Sequence, residues 1–382
     1  MGGLRGSWLV LATAVALWSS LLLGGAALAY RGDLRGYFLA GALFPHPPEF
    51  SGVPTQEGPG YDGQFFGALA VDPLLRRPET PGYLDLPGYR AGRIGLPLAA
   101  WMVALGNRPA ALGVYLGLCW ILGVLGVWVA ARWLEDDGHS PWGALPLALS
   151  AGLVVSMLRG MPDAAAASLL LLALWLEPRD RPGAVPILAL AALVRETSLI
   201  GAAGIAIVRW REGRHRAAAV AVLVPAAVTL GWRIYVQSRP GYPSFVPGEF
   251  GFPLAWLAGK LALPWRTDSI AEVVGMVAVA LAALALALLL PRWRRWSAAN
   301  WTYAGVVLLA FVLNDRIYED RWAFARVTIL LPLLAVPLAA AEERPAAATI
   351  LRAVPLAYAV TGVLTLLLST RLPALLFGYA GR

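Results

Sequence analysis

Apolar runs broken by short polar, arginine-rich or proline-rich segments recur along the whole chain. Runs at 273–290, 327–341 and 351–368 approach the roughly 20 residues that a helix needs to cross hydrocarbon, so several spans are predicted rather than one anchor. The first run, 8–29, follows Arg5 and ends in Ala27-Leu28-Ala29, which imitates a signal peptide. Its length exceeds the usual apolar region of about 7–15 residues, so it reads as a retained first span. The run at 94–105 is too short to cross and predicts a helix lying along the membrane surface.

Further spans are predicted at 110–131, 143–158, 164–176, 217–236 and 301–313. The run at 187–208 carries Arg195 and Glu196 at its centre. Each ionised side chain at mid-bilayer costs roughly 2.5–3.5 kcal/mol, which favours two half-helices meeting at Arg195-Glu196-Thr197-Ser198 over one continuous span. The densest basic clusters, 209–216 and 292–295, belong in the cytoplasm by the positive-inside rule. Counting outward from them gives a cytoplasmic N-terminus, an external C-terminus and about eleven crossings.

The expected fold is therefore all-α, a polytopic helical bundle forming one integral membrane domain over 1–382. A long first external loop with interfacial helices covers 30–109, and a second covers 238–268. The turns at 159–163, 195–198 and 315–326 fall on the external side, with the tail 372–382. Such a chain belongs in the inner, cytoplasmic membrane of a cell.

Composition narrows the classes further. Hydrophobic residues make up 59% of the chain, charged residues 14%, and the mean hydropathy of +0.65 is far above that of a soluble domain. The net charge of +8 is almost all arginine, with Lys260 as the single lysine. Because the basic runs sit between apolar blocks they report topology, and nucleic acid is not an expected partner. Cys119 is alone in an apolar run and reads as a packed thiol. His46, His139 and His215 are scattered without ligand spacing, so no zinc site is expected. Neither a phosphate-binding glycine loop with Lys and Ser or Thr, nor a serine elbow, nor a His-Glu-x-x-His helix is present.

Charged residues at the external ends carry the candidate chemistry. Tyr61-Asp62-Gly63-Gln64-Phe65-Phe66 lies in the first loop; Asp-Gly is also a common turn pair. A carboxylate between aromatic residues on a membrane-facing loop sits where an acceptor hydroxyl and a lipid-borne donor could meet. Arg159 and Asp163 lie four residues apart at the next external turn, either as a helix-end ion pair or as part of a site. Arg195 and Glu196 form the following tip. Arg233, Arg316, Arg321 and Arg326 add guanidiniums at external ends, a geometry that matches phosphate. Arg31-Gly32-Asp33 follows the first span at once and is read as coincidence.

This pattern resembles the glycosyltransferases of the GT-C fold, polytopic enzymes that take sugars from polyprenyl-phosphate donors on the outer face of the membrane. Tyr61-Asp62-Gly63-Gln64-Phe65 stands where that family has a catalytic acidic residue in its first external loop. Arg159 to Asp163 looks like the family's second-loop Arg and Asp, and Val194-Arg195-Glu196-Thr197 like another polar tip. Arg326-Val327-Thr328-Ile329-Leu330-Leu331-Pro332 is similar to its late Arg-aromatic-apolar-Pro pattern, with Val327 replacing the aromatic residue. The likeness spans roughly 8–368.

By that resemblance Asp62, Asp163 and Glu196 are the candidate catalytic carboxylates, with Asp62 as the base for the acceptor hydroxyl. Arg159, Arg195, Arg233 and Arg326 are the candidate ligands of the donor phosphate, and Tyr61, Gln64 and Phe65 line the substrate site. The implied partners are a polyprenyl-phosphate-sugar donor, the lipid bilayer, and a lipid, glycan or protein acceptor. The implied reaction inverts the anomeric centre. Asp62 stands alone where some relatives have paired acidic residues, so no cofactor is expected, a divalent metal remaining the alternative. A transporter or lipid flippase with a charged external cavity is the rival function, since broken helices with charged tips also build transport sites.

Overall fold

A computed structural model describes residues 6–179, 183–243, 251–254, 269–313 and 321–368. The predictions on Arg5, Lys260, Arg316, the side chain of Arg321, the tail 372–382 and most of 238–268 lie outside the described residues. Helices dominate: α1 (Gly6–Ala29), α2 (Gly63–Val71), α3 (Pro87–Ala91), α4 (Gly95–Val103), α5 (Arg108–Asp136), α6 (Ala151–Leu158), α7 (Asp163–Leu176), α8 (Ala184–Val194), α9 (Leu199–Arg211) and α10 (His215–Gln237). After them come α11 (Ser269–Leu289), α12 (Ala298–Val312), α13 (Arg321–Val327), α14 (Leu330–Ala341) and α15 (Pro345–Leu368). A two-residue parallel pair, β1 (Ala40–Gly41) with β2 (Thr55–Gln56), ties the first loop together.

Among the described residues, five helices are long and apolar enough to cross a bilayer: α1, α5, α10, the apolar stretch Val273–Arg295 and α15. These helices turn large apolar side chains outward. Leu9, Val15, Leu23 and Leu28 of α1, and Val220, Leu223, Leu230 and Ile234 of α10, are all exposed. An apolar exterior of this size fits hydrocarbon rather than water as the surrounding solvent.

The inner helices are shorter. Asp163–Leu176, Ala184–Val194, Ala298–Val312 and Leu330–Ala341 are apolar but have only 14, 11, 15 and 12 residues, or roughly 16–22 Å at 1.5 Å per residue against about 30 Å of hydrocarbon. Their lengths are tolerable because α7 and α14 are buried along nearly their whole length by other helices, so their ends need not reach lipid headgroups. Trp18, Tyr115, Tyr303 and Tyr358 are fully buried in the core between inner and outer helices.

Three predicted spans take a different form. The run 143–158 is not one straight helix: Pro141–Leu149 is a 3₁₀ segment that meets α6 at 54°, with Pro146 inside it, where an α-helical hydrogen bond is lost. The run 327–341 is split, because α13 ends at Val327 and α14 starts at Leu330, which leaves Arg326 on a separate short helix. The first loop is more than a membrane-hugging segment. Every residue of α2 is buried, and this helix packs between α4 and α5 as part of the core. Only α4 keeps the expected lipid-ready face, with Met102 and Val103 exposed beyond its packed side. At 187–208 the predicted break is present, Arg195 standing in extended conformation between α8 and α9 (φ −156°, ψ 125°).

Gly362 of α15 fits directly against the Leu149–Ala151 bend, where an added Cβ would collide with the Leu149 carbonyl oxygen. Gly24 of α1 faces open space. Gly362→Ala is therefore expected to cost about 1–3 kcal/mol through overpacking, lowering the thermal midpoint in detergent. Gly24→Ala, which removes only helix-interior glycine entropy, should leave that midpoint unchanged or raise it.

Candidate functional site

Turns predicted on one side of the membrane meet in space. Asp62 immediately precedes α2, and the absence of a side chain at Gly63 lets this corner lie on the Arg159 carbonyl, which a Cβ would strike. Asp-Gly here sits in a hydrogen-bonded turn, the Gln64 amide donating to the Tyr61 carbonyl at 3.2 Å, and also serves close approach between two segments. Tyr61 is held between two cations, with the Arg159 guanidinium 4.4 Å and that of Arg326 5.2 Å from its ring centre. Cation–π contacts of this kind strengthen where water is scarce.

Asp62 is the centre of the cluster. Its Oδ1 accepts from Nη2 of Arg90 at 2.9 Å and its Oδ2 from Nη1 of Arg326 at 3.2 Å. Arg90, on α3, is itself clamped by Asp85: Nε donates to Oδ1 and Nη2 to Oδ2, both at 2.8 Å. The same Arg326 nitrogen lies 3.8 Å from Asp163, whose carboxylate forms an ion pair with Arg195. Asp163 starts α7 and is 1% exposed. Arg90, Asp62, Arg326, Asp163 and Arg195 thus form one alternating chain of charges drawn from the first loop, α7, the α8–α9 break and α13.

Burial pushes the Asp62 carboxyl up, but the charges and hydrogen bonds of Arg90 and Arg326 outweigh it and hold the group at about 2. The linkage follows with its sign: the folded value lies below the ordinary 3.8, so the stabilisation from these pairs is complete above about pH 4 and fades as pH falls towards 2. Arg90 is driven the other way. Burial lowers it, yet Asp62 and Asp85 more than compensate and keep it charged.

Several predicted site residues have other work. Glu196 accepts from Arg93 at both oxygens (Nε at 3.0 Å, Nη2 at 2.6 Å), fastening the first loop to the α8–α9 break. Asp163 is sealed from solvent, paired with Arg195 and 3.8 Å from Arg326. Gln64 does not line the site: it is 2% exposed, donates to the Pro59 carbonyl, accepts from the Gly41 amide and touches His46. Phe65 lies beneath the Arg90 guanidinium at 5.1 Å and is buried against Phe44. Arg233 is exposed on α10, apart from the cluster. Arg31-Gly32-Asp33 is local structure, since Asp33 caps the following 3₁₀ turn and pairs with Arg35.

Arg90, Arg93 and Asp85 escaped the sequence reading. Their signal was the pair of arginines three residues apart directly before the apolar run 94–105, in a segment too apolar to hold two unpartnered cations. Gly95 brings them to the helix break, for a Cβ there would press on the backbone of Val194. Five guanidiniums, those of Arg90, Arg93, Arg159, Arg195 and Arg326, gather with the four carboxylates of Asp62, Asp85, Asp163 and Glu196. The excess is cationic, and three of the carboxylates, Asp62, Asp85 and Glu196, keep side chains that are 24%, 25% and 28% exposed. Such a cluster can bind an anion and, once a cation leaves Asp62, accept a proton. Among the described residues no group of three or more His, Cys, Asp or Glu is placed to hold a metal ion.

The Asp163–Arg195 pair allows a direct test of its structural role. Asp163→Asn strands a buried guanidinium and is expected to cost about 3–5 kcal/mol, whereas Asp163→Leu combined with Arg195→Met should recover most of the loss. Thermal unfolding of the single and double variants in one detergent measures both. Comparison with protein-family models, curated proteins and solved structures returns no match, so the geometry of this cluster is the ground for a functional reading.

Proposed function

We propose that the protein is a membrane glycosyltransferase of the GT-C kind, moving a sugar from a polyprenyl-phosphate donor to an acceptor hydroxyl with inversion. One observation carries the reading: a partly exposed carboxylate, Asp62, is surrounded by guanidiniums from separate chain segments at one end of an apolar bundle. A phosphate leaving group needs cations rather than an acid, and the acceptor hydroxyl needs one base. The acceptor oxygen attacks the anomeric carbon from the face opposite the phosphate, its proton passes to Asp62, and the carbon–oxygen bond to phosphate breaks with its electron pair left on the phosphate. Arg326 and Arg159 flank Tyr61 and are the phosphate ligands of this scheme, with Arg195 behind them.

Support for the topology comes from the two ends of the bundle. The turns expected outside surround Asp62. Those expected inside pair at the other end, through Arg209 with Glu177, Arg292 with Glu343 and Arg344 with Glu342. Here a cavity of about 600 Å³ is lined by Trp133, Asp137, Arg292, Arg295 and Glu342. Fully buried Leu170, Leu171, Leu331 and Leu334 belong to the apolar core of the inner helices, and that closed core favours chemistry on one face over transport. The eleven crossings then include the four short helices, with the N-terminus cytoplasmic.

Asp62→Asn is expected to keep the fold, since Arg90 retains Asp85 and Arg326 retains Asp163. Loss of the base should lower sugar transfer from a polyprenyl-phosphate-sugar by roughly 10²- to 10⁴-fold, without loss of donor binding. Wild-type turnover in this variant would remove Asp62 from catalysis and favour the rival transporter reading. Topology is read independently by Glu212→Cys, at an exposed position where the native Cys119 is buried and silent. An impermeant maleimide should fail to label it in intact cells and label it after permeabilisation; labelling in intact cells would reverse the orientation.

A further inference from the structure

Beside the cavity of about 600 Å³ at the end of the bundle away from Asp62 lies a smaller one of about 390 Å³, where the ends of α5 and α14 meet α15. α5 finishes in a turn closed by Gly138 (φ 80°), after which the His139 amide donates to the Leu134 carbonyl at 2.8 Å. This turn brings His139 and Ser140 to the cavity wall. Ser140 stands at the N-cap of the Pro141–Leu149 segment, yet its hydroxyl makes no capping hydrogen bond. α15 adds Arg352 and Leu356, and Pro146 and Val336 belong to the apolar part of the lining.

Arg352 is in an unusual place for a cation. It is exposed on α15 in line with Leu356 and Val360, four and eight residues further on and exposed as well. At 3.6 residues per turn the three share one outward stripe of a helix long and apolar enough to cross the membrane. Arg352 follows Pro345 by seven positions, roughly 10 Å along the axis, which is the depth where phosphates give way to acyl chains. Among the described residues Arg352 has no ion pair, and the side chains of His139 and Ser140 have no hydrogen-bond partner. A charge at this depth is costly until a counter-charge meets it, and lipid phosphate is the counter-charge a bilayer supplies.

The larger cavity differs in exactly this respect. Its Arg292 and Arg344 are already paired with Glu343 and Glu342, and Asp137 also lines it. No acidic residue lines the smaller one. We infer that the smaller cavity binds an anionic phospholipid of the adjoining leaflet, its phosphodiester held by Arg352, His139 and Ser140 and an acyl chain lying along Pro146 and Leu356. An ammonium headgroup finds no carboxylate here, which disfavours zwitterionic lipids. The apolar stripe from Leu356 to Val360 continues the cavity along α15 and suits a ligand that carries a chain. None of these residues belongs to the Asp62 cluster, so the site serves a transferase or a transporter alike.

The test uses the full-length protein, delipidated in detergent and titrated with dioleoyl-phosphatidylglycerol, dioleoyl-phosphatidylcholine or glycerol phosphate, with bound lipid counted by native mass spectrometry. Wild type is expected to prefer phosphatidylglycerol. Arg352→Gln should weaken that binding roughly tenfold, the loss of one charge-assisted contact, while Arg352→Lys keeps most of it. His139→Ala should weaken it by a smaller factor. Arg216→Gln, which removes an exposed arginine of α10 that does not line the cavity, should leave it unchanged. Equal affinity of wild type and Arg352→Gln for phosphatidylglycerol overturns the site, as does equal binding of phosphatidylcholine. Displacement of phosphatidylglycerol by an equal concentration of glycerol phosphate overturns the lipid assignment in favour of a soluble phosphate ester. Arg352 and His139 are both exposed, so neither substitution removes core packing. If Arg352→Gln is not recovered folded, unchanged affinity in His139→Ala overturns the site by itself.

Discussion

An ionised side chain enclosed by apolar helices must have a partner, and the Asp163–Arg195 pair is where this constraint acts most strongly. Asp163, 1% exposed at the start of α7, fixes where the break between α8 and α9 must lie. The break in turn presents Glu196 to Arg93, which brings in the first loop, and Asp163 shares Arg326 with Asp62. A pair of this kind adds little net stability over an apolar substitute, but it specifies which segments meet. Its contribution to the fold is registration, and the candidate site is assembled around that register.

The parts of this arrangement that were legible in the sequence are those in which a local cost is large. Two charges in the middle of 187–208 could not remain in a continuous helix, and the chain does break at Arg195. Long apolar runs read correctly as helices for the same reason, since each had only one way to satisfy its backbone in lipid. Asp163 and Arg326 were found at the ends of such runs, Arg195 at the centre of one, and Asp62 between aromatic residues in the first loop.

What remained hidden depends on tertiary contact. Gln64 sits one turn of α2 from the site, yet its amide serves the backbone of Gly41 and Pro59, and no pattern of neighbours distinguishes that use from substrate binding. Arg90 and Arg93 were passed over because their partners, Asp62, Asp85 and Glu196, are set by how the first loop folds back onto the bundle. That return is permitted by missing side chains at Gly63 and Gly95, and absent atoms leave only a faint mark in a sequence with 40 glycines. The split at Thr328–Ile329 was likewise masked by an uninterrupted apolar composition.

The shortness of the inner helices has a bearing on how the protein responds to its surroundings. A helix exposed to acyl chains feels any difference between its apolar length and the local thickness, and answers by tilting or by deforming the bilayer. α7 and α14 bury nearly all of their residues against other helices, so hydrophobic mismatch is borne by α1, α10 and the other outer helices. Asp163 and Arg326 adjoin these insulated elements at the start of α7 and just before α14. The spacing of the charges is thereby uncoupled from membrane thickness, and the same cluster geometry is available in thin and thick bilayers alike.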